Sequence, residues 1–211
     1  MKVKGNLFVL SAPSGSGKGT VIKELMKINK NIESSISVTS RKPRFHEQEG
    51  IHYFFVEKEE FESMIRNGDF LEWDCYNDRY YGTKTDYIQK LIEAGKDVVF
   101  DITIKGAFAI KEKYPEAVLI FMLASSNEEL RRRLTERGTE DEEVILWRLS
   151  EAEREIRCID KFDYLLMNDI AADAAQRFNT IISAEQYRTR REYIDFIKKN
   201  YYKTNTKFQE D

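Results

Sequence analysis

Lys18 is the residue around which chemistry can be organised. It follows Gly17 in the run Ser11-Ala12-Pro13-Ser14-Gly15-Ser16-Gly17-Lys18-Gly19-Thr20, between the apolar tetrad Leu7 to Leu10 and a stretch with apolar residues at Val21, Ile22, Leu25 and Met26. Four apolar residues in a row suit a buried strand, and the later spacing suits a helix. Strand, small-residue turn and helix in that order let backbone N–H groups converge on phosphate oxygens, with a helix N-terminus behind them and a lysine as mobile positive charge. A glycine-rich turn that only joins a strand to a helix has no need of a lysine directly after Gly17. The run departs from G-x-x-x-x-G-K-[ST] in two places. Ala12 takes the first glycine position, and Gly19 takes the hydroxyl position, leaving Thr20 as the candidate Mg2+ ligand, directly or through water.

Further residues could complete such a site. Arg41 and Arg44 flank Pro43, whose ring forces an extended or turn conformation on Lys42. Two guanidinium forks on a stiff turn can grip one phosphate bidentately, although an isolated R-x-x-R also suits an exposed basic loop. Glu72, between Leu71 and Trp73, is either a surface residue on a half-buried strand or an acceptor aimed into a pocket. Asp101 lies near the C-terminal end of a core strand, Val98 to Ile102, the end where ligands bind in open parallel sheets.

The elements that must position these residues alternate. After the first helix, aromatic and β-branched residues mark a strand at His52 to Val56, and Phe61, Met64 and Ile65 mark a helix stopped by Gly68. Another helix runs from about Thr85 to Ala94, and one from about Ile104 to Tyr114 closes at Pro115. Ala117 to Leu123 is a buried strand; Ser125 or Ser126 caps the helix after it, which carries Arg131, Arg132, Arg133 and Arg137. A helix from near Asp141 carries Arg148, and a last strand, Phe162 to Met167, ends at Asn168-Asp169. A long terminal helix begins near Ala171, and its charged, tyrosine-rich tail from about Arg188 reads as a solvated extension fraying over Thr204 to Asp211. Alternating strands and helices predict a parallel sheet covered on both faces, with the interval between Ser34 and Gly95 inserted as a small lobe.

Composition limits the alternatives. The chain of 211 residues is long enough for one domain with a substantial core, and 34 Lys and Arg against 37 Asp and Glu argue against a bulk nucleic-acid binder. Cys75 and Cys158 are too far apart for a disulfide framework or zinc site, and two histidines are too few for a histidine-built metal centre. No apolar run approaches the ~20 residues of a membrane span, and no signal sequence opens the chain, so a cytoplasmic, membrane-free protein is expected.

The chain resembles guanylate kinases over nearly its whole length. The resemblance is carried by the phosphate loop, Ser37-x-Thr39-Ser40-Arg41-x-Pro43-Arg44, Gly50-x-x-Tyr53-x-Phe55, Glu72-Trp73, Tyr80-Tyr81-Gly82-Thr83, Arg133-x-x-x-Arg137-Gly138-Thr139-Glu140, and Asn168-Asp169. It implies an α/β P-loop core (1–33 and 93–211), an inserted GMP-binding lobe (34–92) and a lid at about 137–148. The implied activity is transfer of the γ-phosphoryl group of ATP to GMP, and to dGMP as a further acceptor, giving ADP and the nucleoside diphosphate. By the same resemblance, residues 11–20 and Asn168 bind ATP, while Ser37, Arg41, Arg44, Tyr53, Glu72, Tyr81, Thr83 and Asp101 bind GMP. Lys18, Arg41, Arg133, Arg137 and Arg148 act in catalysis with Mg2+. Thr103 stands where the family has an aspartate and Lys105 where it has a glutamine, so weakened guanine discrimination or catalysis is expected. A non-catalytic binding module of the same fold and a kinase for another small phosphate ester are the alternatives. Oligomeric state has no signal in the sequence.

Overall fold

Leu7–Ser11 forms the central strand β1, buried at every position. Strand alternation divides its side chains between two faces, Phe8 and Leu10 joining one core cluster and Leu7 and Val9 the other. A computed structural model describes residues 4–76, 78–136, 142–189 and 191–201. From β1 the chain runs through α1 (Lys18–Ile28) to β2 (Ile32–Ser34), then into a lobe of β3 (Val38–Thr39), β4 (Phe54–Phe55), α2 (Lys58–Asn67), β5 (Phe70–Tyr76) and β6 (Arg79–Lys84). It returns through α3 (Thr85–Glu93) to β7 (Asp97–Asp101), α4 (Ile104–Lys113), β8 (Val118–Ala124), α5 (Asn127–Glu136) and α6 (Glu142–Ile156). A 3-10 turn (Ile159–Lys161), β9 (Tyr164–Asn168), α7 (Ala171–Glu185) and α8 (Arg191–Tyr201) complete the described elements.

Five strands form one parallel sheet in the order β2-β7-β1-β8-β9. On one face, Val21, Ile22 and Leu25 of α1 meet Phe178 and Ile182 of α7 over Phe8 and Leu10. On the other, Ile88 and Ile92 of α3 and Ala107 and Ile110 of α4 cover Leu7, Val9, Val98 and Phe100. Burying each large apolar side chain stabilises the sheet by roughly 1.5–3 kcal/mol. The expected α/β core with helices on both faces is therefore present. Its connections leave β1 in opposite directions, toward β2 and past β1 from β7 to β8, which opens a crevice at the strands' C-terminal ends.

The lobe has its own four-stranded sheet, ordered β4-β3-β6-β5, with β3 and β4 parallel and the other pairs antiparallel. Phe61 of α2 is fully buried between Phe70 and Tyr80, with ring centroids 4.4 and 5.1 Å away. This small aromatic core fixes the face from which β5 and β6 project polar residues.

Two expectations are revised. Ile32–Ser34 pairs with Asp97–Val99 as the edge of the main sheet, whereas periodicity gives no strand there because three residues are too few to show one. The terminal helix is also not continuous. Tyr187 and Arg188 N–H reach back only three residues, to the carbonyls of Ala184 and Glu185, and the buried Glu185 carboxylate accepts a 2.7 Å hydrogen bond from the Tyr164 hydroxyl. These contacts tie down the last turn of α7 before α8 begins. The fraying expected over 204–211 lies outside the described residues. Among the described residues, no helix is long and apolar enough to cross a membrane.

Candidate active site

The 12–17 turn joins β1 to α1 through two residues in the left-handed region, Gly15 at φ 92° and Gly17 at φ 89°. Gly17 is doubly constrained, because a Cβ there would come 2.8 Å from Asn168 Nδ2. No side chain caps the helix at Gly17, and the first N–H groups of a helix lack carbonyl partners within it. A ready anion site results. Lys18 arches back over the turn, its Nζ donating to the Ala12 carbonyl at 3.0 Å and lying 3.7 Å from Asp101 Oδ1. The register that pairs Leu10 with Asp101 puts that carboxylate beside the loop. The Asp101 side chain is 41% exposed; the protein around its other sides raises the carboxyl pKa, and the Lys18 ammonium opposes the rise.

A second group braces the loop from behind. Arg133 donates from Nη1 to the Ser16 carbonyl at 3.2 Å, from Nη2 to the carbonyls of Asn168 at 3.0 Å and Asp169 at 3.4 Å, and from Nε to Glu129 at 2.7 Å. Asn168 Nδ2 donates to the same Ser16 carbonyl at 2.7 Å. Gly15, Gly17, Thr20, Arg133, Asn168 and Asp169 share an open cavity, and beside it Ser16 Oγ and Asn168 Oδ1 are buried with no hydrogen-bond partner. Polar capacity for a ligand therefore remains there. Arg148 of α6 reaches the loop from the far side, its Nη1 2.8 Å from Ser14 Oγ. Arg137 lies outside the described residues.

The lobe assembles a different kind of site. Arg41 is buried in a fork with Glu47, Nη1 to Oε2 and Nη2 to Oε1 both at 2.8 Å, and its guanidinium carbon sits 5.3 Å from the Tyr53 ring centre. Tyr53 and Tyr81 meet edge to face at 6.1 Å. The Arg44 N–H donates to Glu47 Oε2 at 2.8 Å, while the Arg44 residue itself is exposed. Ser37 is half-buried at the start of β3, its carbonyl accepting from the Phe54 N–H. Next to this cluster, Glu72 on β5 is 6% exposed and opposite Thr83 on β6, whose hydroxyl donates to Glu72 Oε1 at 2.7 Å. Burial raises the Glu72 pKa, and the Thr83 hydrogen bond works against that rise.

Core and lobe meet at Gly106. A Cβ on Gly106 would lie 2.9 Å from Glu72 Oε2, so the absence of a side chain lets the carboxylate reach the first turn of α4. Asp101, at the end of β7 just before that turn, faces Lys18, which places the lobe's buried acceptor and the loop's cation at one strand end. Thr103 caps α4, its Oγ1 accepting from the Gly106 N–H at 3.2 Å. Lys105 extends to the lobe and pairs with Asp74 at 2.7 Å. Glu47 and Asp74 have no place in the sequence-based set; R-x-x-R-x-x-E over residues 41–47 is the one sequence signal that points to Glu47.

The chain has many relatives. A family model described as guanylate kinase matches residues 4–185. The guanylate kinase of Caldanaerobacter subterraneus subsp. tengcongensis is 44% identical over 198 residues, covering 94% of this chain and 96% of that protein. That of Bacillus anthracis is 47% identical over 189 residues, covering 89% and 92%. Among solved structures, the crystal structure of guanylate kinase from Anaplasma phagocytophilum superposes with a TM-score of 0.76 at 31% identity, covering 95% of this chain and 97% of that one.

Proposed function

The chain belongs to the guanylate kinase family, and we propose that it transfers the γ-phosphoryl group of ATP to GMP, giving ADP and GDP, with the 11–20 turn as donor site and the lobe as acceptor site. The chain would divide into a core, a GMP lobe inserted between β2 and α3, and a lid (about 137–148); Ser34 and α3, expected within the lobe (34–92), join the core instead, since Ser34 pairs with Val99 and Ile88 and Ile92 pack on the main sheet. One observation carries the assignment of sites: the buried Glu72 carboxylate abuts Gly106, five residues after the Asp101 that meets Lys18.

Guanine presents N–H donors on its N1 and N2 edge, and an ionised carboxylate only accepts. Glu72, oriented by Thr83, is matched to that edge; adenine presents a different pattern there. Arg41, Arg44, Tyr53 and Tyr81 hold the acceptor phosphate, and Ser37 lies at the lobe's edge beside them. The attacking oxygen belongs to a phosphate already ionised at neutral pH, so no general base is required. Catalysis then consists of in-line positioning and neutralisation of charge. Lys18 and the loop amides cradle the ATP phosphates, Arg148 adds charge from α6, Arg137 is given the same role by the family likeness alone, and Arg133 with Asn168 holds the loop against β9 on the adenine side. A lid also excludes water, which would otherwise compete as phosphoryl acceptor.

Mg2+ bound with ATP would neutralise charge on the phosphates. Thr20 would hold it, directly or through water. Mg2+ keeps several waters and is commonly held by one or two protein oxygens together with substrate phosphates, which a single Thr20 hydroxyl fits. Coupled assays of ADP formation with GMP, dGMP, AMP, CMP and UMP test the function. GMP is expected to give the highest kcat/KM, and faster turnover of AMP would contradict the assignment.

A further inference from the structure

We infer that Glu47 is a positioning residue for the acceptor phosphate, holding the Arg41 guanidinium and the Arg41–Arg44 turn in the arrangement that receives a phosphate monoester. It rests on the acceptor site proposed above. Three of the five guanidinium N–H donors of Arg41 are already directed: two from Nη1, to Glu47 Oε2 and the Lys42 carbonyl, and one from Nη2 to Glu47 Oε1, each at 2.8 Å. Nε and the second hydrogen of Nη2 are left for Tyr81, whose hydroxyl lies against Arg41, and for a ligand. The aromatic rings of Tyr53 and Phe55 lie 5.3 and 6.0 Å from the guanidinium carbon.

Glu47 Oε2 accepts a second hydrogen bond, from the Arg44 N–H at 2.8 Å, so one carboxylate fixes both the side chain of the first arginine and the backbone of the second. The turn between them is thereby closed on a single group. Both side chains of the Arg41–Glu47 pair are only 7% exposed, in contrast to the solvated ion pairs of α5. A long, rotamer-rich side chain ordered before its ligand arrives loses little freedom on binding. Arg41 holds the Glu47 carboxyl at about 2, so the group is ionised at neutral pH and acts as a fixed support. An ionic partner on one edge of the fork also orients the remaining donors toward the acceptor phosphate.

The test compares Glu47→Gln and Glu47→Asp with the wild type, by equilibrium binding of GMP and by kinetics with ATP and GMP varied separately. Glu47→Gln is expected to weaken GMP binding and raise KM for GMP by about 10- to 100-fold, with kcat and KM for ATP changing less than about threefold. Glu47→Asp, which keeps the charge, is expected to recover most of the loss, and it carries the same comparison if the glutamine variant does not fold. In an Arg41→Lys background the added Glu47→Gln change is expected to move KM for GMP less than about twofold, because its effect runs through the Arg41 fork. Unchanged GMP binding in Glu47→Gln overturns the inference. Tighter GMP binding also overturns it, by identifying the carboxylate as a competitor of the phosphate. A parallel rise in both KM values with a lowered melting temperature overturns it as well, since that is a general loss of structure. Failure of the acceptor site itself is read separately, from wild-type protein that turns AMP over faster than GMP.

Discussion

The two phosphate sites proposed for this molecule are built in opposite ways. The donor site is backbone: one continuous run, with left-handed glycines at 15 and 17 and a lysine that hydrogen-bonds back onto the turn. The acceptor site is side chains, drawn from the 37–44 segment, Tyr53, β5 and β6, and held by a buried ion pair and a buried hydroxyl–carboxylate contact. A backbone cradle tolerates many neighbours but not a Cβ in the wrong place. A side-chain cradle tolerates backbone detail but not a change in charge or hydrogen-bonding sense. The comparison teaches where each half is fragile.

The largest expected effect is at the donor site. Lys18→Ala removes the one mobile cation of the loop and should lower kcat by about 10²- to 10³-fold, measured as GMP-dependent ADP formation, with little change in melting temperature. Gly17→Ala tests the backbone directly. Its Cβ would meet Asn168 Nδ2 at 2.8 Å and its φ of 89° is strained for alanine, so a stability loss of about 1–3 kcal/mol is expected in denaturant unfolding. KM for ATP should rise while GMP binding is preserved.

At the acceptor site, Glu72→Gln changes an acceptor into a group that also donates. A loss of about 1–3 kcal/mol in kcat/KM for GMP is expected, with the ratio of AMP to GMP turnover rising. An equal loss for both nucleotides would blur the contrast between the two sites. The smallest effect concerns acid. Glu47 is depressed from 4.5 to about 2 in the folded protein, so it adds stability above pH 4.5 that is lost as the pH falls toward 2. Glu47→Gln should flatten that part of the pH–stability curve, followed by circular dichroism melts.

The same contrast governs how much was legible in the sequence. The donor site was readable because strand, turn and helix are contiguous and each period is visible within one window. Ser126, one of the two candidate caps of α5, accepts from the Glu129 N–H at 3.1 Å. Glu72 was ambiguous because its role depends on the β5–β6 register, which sets Thr83 opposite it, and on a glycine 34 positions later in the chain. The likeness to guanylate kinases put Glu72 and Thr83 together among the base-reading residues where periodicity could not, but not in contact with each other. Glu47 was missed because the fork it makes with Arg41 has no period, and Lys105 gave no sign that it would reach Asp74 across two elements. The break between α7 and α8 was illegible for a simpler reason: Ile194 and Ile197 continue a helical stripe beyond it.

Convergence of the two sites on nucleotides lying end to end is tested most directly by a bisubstrate ligand, adenosine and guanosine joined through their 5′ positions by a pentaphosphate, in a calorimetric titration with Mg2+. One molecule is expected to bind per chain, more tightly than ATP or GMP alone, displaced by either nucleotide and weakened by Lys18→Ala and by Glu72→Gln. Displacement by only one of the two nucleotides would contradict that convergence.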